Sequence, residues 1–348
     1  MKTLSFLKSA AALSIALLMT GNLYAQTTDP TQDPNIESHV KTFLKALNSG
    51  GGKPMEQLTP TAARAILTGA QASVKYDYSD IIVTEKTIKG STGAISLNII
   101  KPANAKGILP VFVFIHGGGW VLGDFPTHKR LVRDLVVNSG AAAVFVNYTP
   151  SPEAHYPVAI NQIYDAVKWL AANGAEIGVD GKRLAIAGNS VGGNMSAAVA
   201  LMAKDKKGPA IKLQVLLWPV TNAAFDTESY QKFAEGRFLT TNMMKWFWDN
   251  YTTNAAERKE IYASPLQATT AQLQGLPPAF VAVAENDVLR DEGEAYARHL
   301  DEAGVTVTAV RYNGMIHDWG MLNPLAEVPG AKSVVLQAAA ELKKALRK

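Results

Sequence analysis

From Ile81 onward the apolar residues come in short blocks whose period switches back and forth. Ile81–Ile88 and Ile95–Ile100 alternate or run apolar on either side of Lys89-Gly90-Ser91-Thr92-Gly93, which predicts a hairpin. Leu109–Ile115 is a continuous apolar run of the kind found in strands buried on both faces. The pattern then predicts helix over 127–138, strand over 142–147, helix over 158–172, strand over 183–187 and helix over 191–203. Strands over 211–218 and 279–284, a helix over 292–303, a strand over 305–312 and a helix over 332–347 complete the series. In the last helix Val335, Ala338, Ala339, Leu342 and Leu346 share one face. Strand and helix that alternate in this way predict an α/β fold, a mostly parallel sheet flanked by helices on both faces.

One stretch breaks the alternation. Residues 221–274 read as helical and irregular, and they carry Trp246, Phe247, Trp248 and Tyr251. An insertion on the carboxyl side of a parallel sheet lies over the place where ligands bind, so a helical cap is expected here. Residues 26–80, with helices predicted over 42–47 and 61–72, form an N-terminal leader and add to that cap; the catalytic domain is expected over 81–348. The linker Asn48-Ser49-Gly50-Gly51-Gly52-Lys53-Pro54 contains Gly-Lys but lacks the spacing and the Ser/Thr of a phosphate loop.

The first residues read as an address. A short basic start holding Lys2 and Lys8 precedes an apolar run from Ala10 to Met19, and small Ala25 stands where a signal peptidase would cut. Residues 1–25 are therefore expected to be a secretory signal, and the protein to be exported to the periplasm or secreted. Once the signal is removed no stretch approaches the length of about 20 apolar residues that a membrane span requires.

Composition narrows the chemistry. The 34 Lys and Arg against 30 Asp and Glu give a formal charge of +4, too mild and too scattered to point to nucleic acid. With no cysteine, disulfides, thiolate metal sites and a cysteine nucleophile are excluded. No metal-ligand spacing and no dinucleotide-binding glycine pattern follows a strand, so neither a metal nor a cofactor is expected.

What remains is a serine on a sharp turn. Gly188-Asn189-Ser190-Val191-Gly192-Gly193 joins a predicted strand to a predicted helix, the context of a nucleophile elbow. Side chains two residues before and after the serine would strike neighbouring backbone, and Gly188 and Gly192 remove them. His116-Gly117-Gly118-Gly119-Trp120 follows the strand over 109–115, and its glycines leave backbone N–H groups unshielded. Gly117, Gly118 and Val191 are assigned as the donors for the oxyanion of an acyl-transfer intermediate. His116 is read as a brace for that loop.

A serine hydroxyl needs a base. His39 lies in the leader, His128 and His299 fall on helices and are expected at the surface, and His155 lies in a turn-rich loop beside the pocket. His317 alone follows the last predicted strand, where the base of a Ser…Asp…His order belongs. Of the acids after the strand over 279–284, Asp287 lies in the loop and is taken as the partner of His317. Asp291, with Glu294 three residues on, reads as a helix N-cap and capping box. Trp120, His155, Trp246 and Trp248 are the candidate substrate-binding residues for a small molecule that undergoes acyl transfer.

These motifs, with Asp287-Val288-Leu289-Arg290-Asp291-Glu292-Gly293 and His317-Asp318-Trp319, resemble those of the hormone-sensitive-lipase-like group of α/β-hydrolases, which includes bacterial family IV esterases. The resemblance runs from about Ile81 to the C-terminus. It implies Ser190, Asp287 and His317 as a triad, a glycine oxyanion hole, a helical cap, and carboxylic esters with short acyl chains as substrates. The chain departs from the family at Asn189, where Asp is usual, at Val191, where Ala is usual, and at Thr149-Pro150-Ser151. Asn189 removes a charge beside the nucleophile. The triad leaves open an amidase or deacetylase acting on acyl amides or acetylated sugars. A non-catalytic ligand binder is the further alternative, against which His317 stands.

Overall fold

The hairpin predicted around Lys89–Gly93 is the first pair of an eight-stranded sheet. In the computed structural model, which describes residues 29–347, β1 (Ile81–Gly90) folds back on β2 (Gly93–Pro102) with Ile88 opposite Ile95. The expected signal segment, residues 1–25, lies outside the described residues. The other strands are β3 (Leu109–Ile115), β4 (Ala142–Asn147), β5 (Val179–Asn189), β6 (Gln214–Leu217), β7 (Ala279–Asn286) and β8 (Val307–Ile316). Their order across the sheet is β1-β2-β4-β3-β5-β6-β7-β8. β1 with β2 and β2 with β4 are antiparallel, and every later pairing is parallel.

Among the described residues ten α-helices flank the sheet: α1 (Ser38–Asn48), α2 (Pro60–Ala72), α3 (Phe125–Ser139), α4 (Val158–Asn173), α5 (Val191–Asp205), α6 (Glu228–Lys232), α7 (Thr241–Tyr251), α8 (Thr270–Leu273), α9 (Arg290–Glu302) and α10 (Pro329–Ala345). α3 packs with α10, and α4 with α5. The central strands are covered on both faces, which is why Phe112, Phe114, Phe145, Ile186 and Val215 are wholly buried in unbroken apolar runs. Among the described residues no helix is long and apolar enough to cross a membrane.

Element ends differ from the sequence reading where pairing or capping decides them. β5 reaches back to Val179 because Leu109 pairs with it, past an irregularity at Pro110/Val111. α3 starts at Phe125 because Asp124 and Thr127 form a reciprocal capping box, and it ends on Gly140 at φ 73°. β8 continues through Gly314 to Ile316, since the Gly314 N–H donates to Glu285 Oε2 at 2.7 Å. Asp291 is not the N-cap of α9. That position is Leu289, and Asp291 sits in the first turn, where its carboxylate accepts from the Ser229 N–H at 2.8 Å and Arg290 Nε at 2.7 Å. Glu294 is drawn away from any box by Arg311, whose Nε donates to it at 2.6 Å.

Candidate active site

β5 ends at Asn189, α5 begins at Val191, and Ser190 alone makes the turn at φ 54°. A left-handed serine is strained, and surrounding structure must hold it there. Close backbone approach does so. A Cβ on Gly188 would collide with the Gly192 carbonyl, and one on Gly192 with the Ile115 carbonyl at the end of β3. The Ser190 N–H donates to the Leu217 carbonyl at 2.8 Å, which ties the elbow to β6. The Ser190 side chain does not cap α5, so its hydroxyl is available and the first N–H groups of the helix stay free of it.

β7 and β8 deliver the partners. His317, one residue beyond β8, places Nε2 3.0 Å from Ser190 Oγ, and its Nδ1 lies 2.7 Å from Asp287 Oδ2. A carboxylate only accepts, so Nδ1–H donates to Asp287 and Nε2 is left as the acceptor of the serine proton. Asp287 Oδ1 accepts the Leu289 N–H at 3.0 Å, which fixes the carboxylate plane. All three side chains are buried. Burial pulls the His317 pKa down, but the carboxylates of Asp287 and Asp318 outweigh it and hold the imidazole above the ordinary histidine value. The arrangement can activate a hydroxyl, take up its proton and stabilise the resulting imidazolium.

The glycine loop meets this group at Gly118 and Gly119, not at Gly117. The Gly117 N–H donates to Asn189 Oδ1 at 3.0 Å and is spent there, whereas Gly118, Gly119, Ser190 and His317 line one cavity. Gly119 must be glycine: its φ is 62° and a Cβ would enter the Phe247 ring. Gly118 and Gly119, and not Gly117, thus turn their backbone to the cavity, while Val191 supplies the first N–H of α5, which has no intrahelical acceptor.

The cavity encloses about 600 Å³. Phe43 and Leu47 of α1, Ile66 and Leu67 of α2, Phe238, and Met243 and Phe247 of α7 form its walls, with Gly50–Pro54 at the rim. The residues expected to bind substrate lie elsewhere. Trp120 is buried beneath the loop, stacked on Tyr251 at 4.2 Å and tilted against Trp248 at 4.7 Å. Trp246 packs on Phe247 at 5.2 Å, and exposed His155 binds the Asn250 carbonyl at 2.8 Å. α7 carries two stripes: Met244, Trp248 and Tyr251 are buried against the body, while Met243 and Phe247 face the cavity. The helical period shows both stripes but not which of them meets open space. Arg64 of α2 also went unread in the sequence. It donates to the Val121 carbonyl at 2.7 Å and to Glu153 at 2.7 Å, tying the cap to the glycine loop and to the segment after β4.

Residues 112–321 match the family model described as alpha/beta hydrolase fold. The chain is 36% identical to carboxylesterase NlhH of Mycobacterium tuberculosis over 91% of its own length and 97% of that protein's. It is 30% identical to an ethyl acetate hydrolase of Pseudomonas putida, over 85% and 94%. A crystal structure of a thermostable esterase from Pseudomonas putida superposes with a TM-score of 0.89 at 66% identity, covering 90% of this chain and 98% of that one. The chain belongs to the hormone-sensitive-lipase-like α/β-hydrolases. Like these relatives it is a carboxylic ester hydrolase.

Within that family the two departures at the elbow acquire a structural meaning. Asn189 bridges two segments: its Oδ1 holds the Gly117 N–H and its Nδ2 donates to Asp318 Oδ1 at 2.9 Å. An ionised carboxylate at this position only accepts and could not make the second bond. Val191 is wholly buried and uses its bulk in the core, leaving its N–H in place. His116 braces the loop. It stacks on Tyr148 at 4.2 Å, its Nδ1 lies 2.8 Å from the Gly117 carbonyl, and burial lowers its pKa to about 4, so it is neutral. His128, expected at the surface, is buried beside His116 at 5.4 Å, because the inner face of α3 packs under the loop.

Proposed function

We propose that this carboxylic ester hydrolase works through a serine-bound acyl intermediate on esters with short acyl chains. The contact that carries this reading is the 3.0 Å approach of His317 Nε2 to Ser190 Oγ at the floor of the cavity, with Asp287 behind the ring. Ser190 Oγ attacks the ester carbonyl as its proton passes to Nε2, and Asp287 stabilises the imidazolium. The Gly118, Gly119 and Val191 N–H groups receive the oxyanion. Collapse breaks the carbon–oxygen bond to the alcohol, which leaves with the proton from Nε2. Water then attacks the acyl-serine along the same path, its proton going to Nε2 and returning to Ser190 as the acid departs.

A cavity of about 600 Å³ lined by apolar side chains of α1, α2 and α7 accommodates a small apolar ester. Amide and acetylated-sugar substrates are the less favoured reading, since the relatives named above are esterases. The basic and apolar start of the chain supports export. Mass spectrometry of the secreted form should then find Gln26 at the N-terminus, and an intact Met1 would refute export with cleavage.

The decisive assay uses p-nitrophenyl esters from acetyl to palmitoyl. The expected result is a maximum at the short end, a burst equal to the enzyme concentration, and loss of turnover by about a millionfold in Ser190→Ala with folding retained. Hydrolysis by that variant at the native rate would refute the nucleophile.

A further inference from the structure

One face of α2 reaches both sides of the reacting centre. Arg64 and Gln71 stand seven residues apart, two turns of helix, so they share that face at a separation of about 10 Å. Arg64 Nε donates to the Val121 carbonyl at 2.7 Å and Nη2 to the Ser151 carbonyl at 3.0 Å, while Glu153 pairs with the same guanidinium at 2.7 Å. Gln71 is buried. Its Nε2 donates to the Met321 carbonyl at 3.1 Å and the Thr127 carbonyl at 2.5 Å, and its Oε1 accepts the Asn323 N–H at 2.8 Å. Leu67, between the two on the helix, lines the cavity.

The two grips are alike. The Val121 and Leu122 N–H groups donate to the Gly118 carbonyl at 3.1 and 2.7 Å, and the Met321 and Leu322 N–H groups donate to the Asp318 carbonyl at 2.8 Å each. Each hook therefore holds a carbonyl on a tight turn whose other end matters to the reaction. Gly118 borders the cavity with Ser190, and Asp318 follows His317 in the chain. Both turns are braced from behind. The Ser151 N–H donates to the Trp120 carbonyl at 2.8 Å, and buried Arg130 of α3 donates Nη2 to the Gly320 and Met321 carbonyls at 2.6 and 2.8 Å. A shift at Val121 or Met321 is thus passed on to the Gly118 N–H or to the imidazole. In the sheet β5, β6 and β7 stand between β3 and β8, so no ladder bond joins these two segments. Asn189 links them at the floor of the cavity, and α2 links them again from the cap side.

We propose that α2 is a strut that sets the spacing between the oxyanion loop and the base, with Arg64 and Gln71 as its two positioning residues. This rests on the acyl-serine reading and gives the cap a part in the chemical step besides walling the cavity. Neither side chain touches the reacting atoms. The hydroxyl, the imidazole and the oxyanion donors must nevertheless stay in register, and a misplacement of about 1 Å costs about a hundredfold in rate. A strut constrains only while both of its ends are held. Once one end is free the helix no longer relates the two segments, and freeing the other removes nothing further from that relation. Two supports that acted separately would instead multiply their effects.

The test is a cycle of Arg64→Met, Gln71→Met and the double variant on p-nitrophenyl acetate; both substitutions keep an unbranched apolar stem and remove the hydrogen bonds. Each single variant should lower kcat by about tenfold and leave KM within about twofold. Acylation and deacylation use the same base and donors, so both slow together and KM is kept. The double variant should also lie near tenfold, while the losses in melting temperature add, as they do for sites about 10 Å apart with no shared partner. A loss of about a hundredfold in the double variant overturns the proposal, as does native kcat in either single variant. Should Gln71→Met not fold, the part-exposed Arg64 decides alone. Arg64→Lys keeps a donor for the Val121 carbonyl and should recover most of the kcat lost in Arg64→Met, and equal kcat in the two overturns the proposal. Turnover by the native enzyme with an initial burst is the separate check on the reading beneath. Without that burst the acyl-serine reading fails; with it, and with multiplying losses in the cycle, only the strut fails.

Discussion

The Gly117 N–H points at Asn189 Oδ1, 3.0 Å away, so the residue before the nucleophile anchors the loop that receives the oxyanion. The other end of the same amide holds Asp318 at 2.9 Å. Asn189 is thus the bridge between the oxyanion loop and the turn that carries the base. Truncation to Ala leaves the buried Gly117 N–H without its partner, at a cost of about 1–3 kcal/mol, and leaves Asp318 Oδ1 with Trp218 Nε1 alone. Asn189→Ala should lower kcat by about ten- to a hundredfold with a smaller change in KM. Asn189→Asp should do comparable harm, because it sets two carboxylates against each other, and Asp318→Asn added to it should restore much of the loss by reversing the pair. A double-mutant cycle on kcat and melting temperature measures this, and strictly additive effects would refute the bridge.

Asp287 and Asp291 lie four residues apart and do different work. Asp287 touches His317, whereas Asp291 ties α9 to the Ser229 N–H near the start of α6. Asp287→Asn should reduce kcat by about ten-thousandfold with little change in melting temperature, because the amide favours the wrong imidazole tautomer. Asp291→Asn should leave kcat within about threefold and lower stability by about 1 kcal/mol, the worth of a partly exposed hydrogen bond. Steady-state kinetics with thermal melts separates the two, and the reverse pattern would exchange their roles.

The pH profile follows from the direction of the His317 shift. The base acts as neutral imidazole, and its pKa stands above the ordinary value of about 6.5. Activity on a neutral ester should therefore fall as pH drops through a midpoint higher than that value. Since Asp318 is one of the groups that raise it, Asp318→Asn should move the midpoint to lower pH. Profiles of kcat/KM from pH 5 to 9 check both statements, and a midpoint that stays put in the variant contradicts the second.

Chemistry that depends on local spacing was legible in the sequence. The elbow, the glycine loop and the acids after β7 each lie within a few residues of a strand end, and the mostly parallel sheet brings those ends together. What depends on tertiary packing was not. An apolar stripe on a helix looks the same whether it meets core or cavity, so Met243 and Phe247 could not be told from Trp248. Nor does a run of three glycines show which N–H is used up, since the partner that takes Gly117 is a side chain 72 residues away. His128 misled for the same reason: a histidine on a helix reads as exposed until the loop above it is known to be built on its face.

Glu292 offers a test of stability at a residue outside the triad. Its Oε1 accepts the Thr221 N–H at 2.6 Å and the Asn222 N–H at 3.2 Å, binding the start of the cap insertion to α9. Complete burial outweighs these two donors and raises its pKa from 4.5 to about 8. Below 4.5 both folded and unfolded chains hold this proton. Between 4.5 and about 8 the unfolded carboxyl has lost it while the folded one retains it, so this group's contribution to stability declines as pH rises through that window. The limiting slope is about 1.4 kcal/mol per pH unit for one proton. Glu292→Gln keeps the acceptor for both N–H groups and has nothing to ionise. Urea unfolding at a series of pH values from 5 to 8 should show the variant losing stability more slowly than the native protein and overtaking it near the upper end. Parallel curves for the two proteins would mean that Glu292 is ionised in the fold throughout.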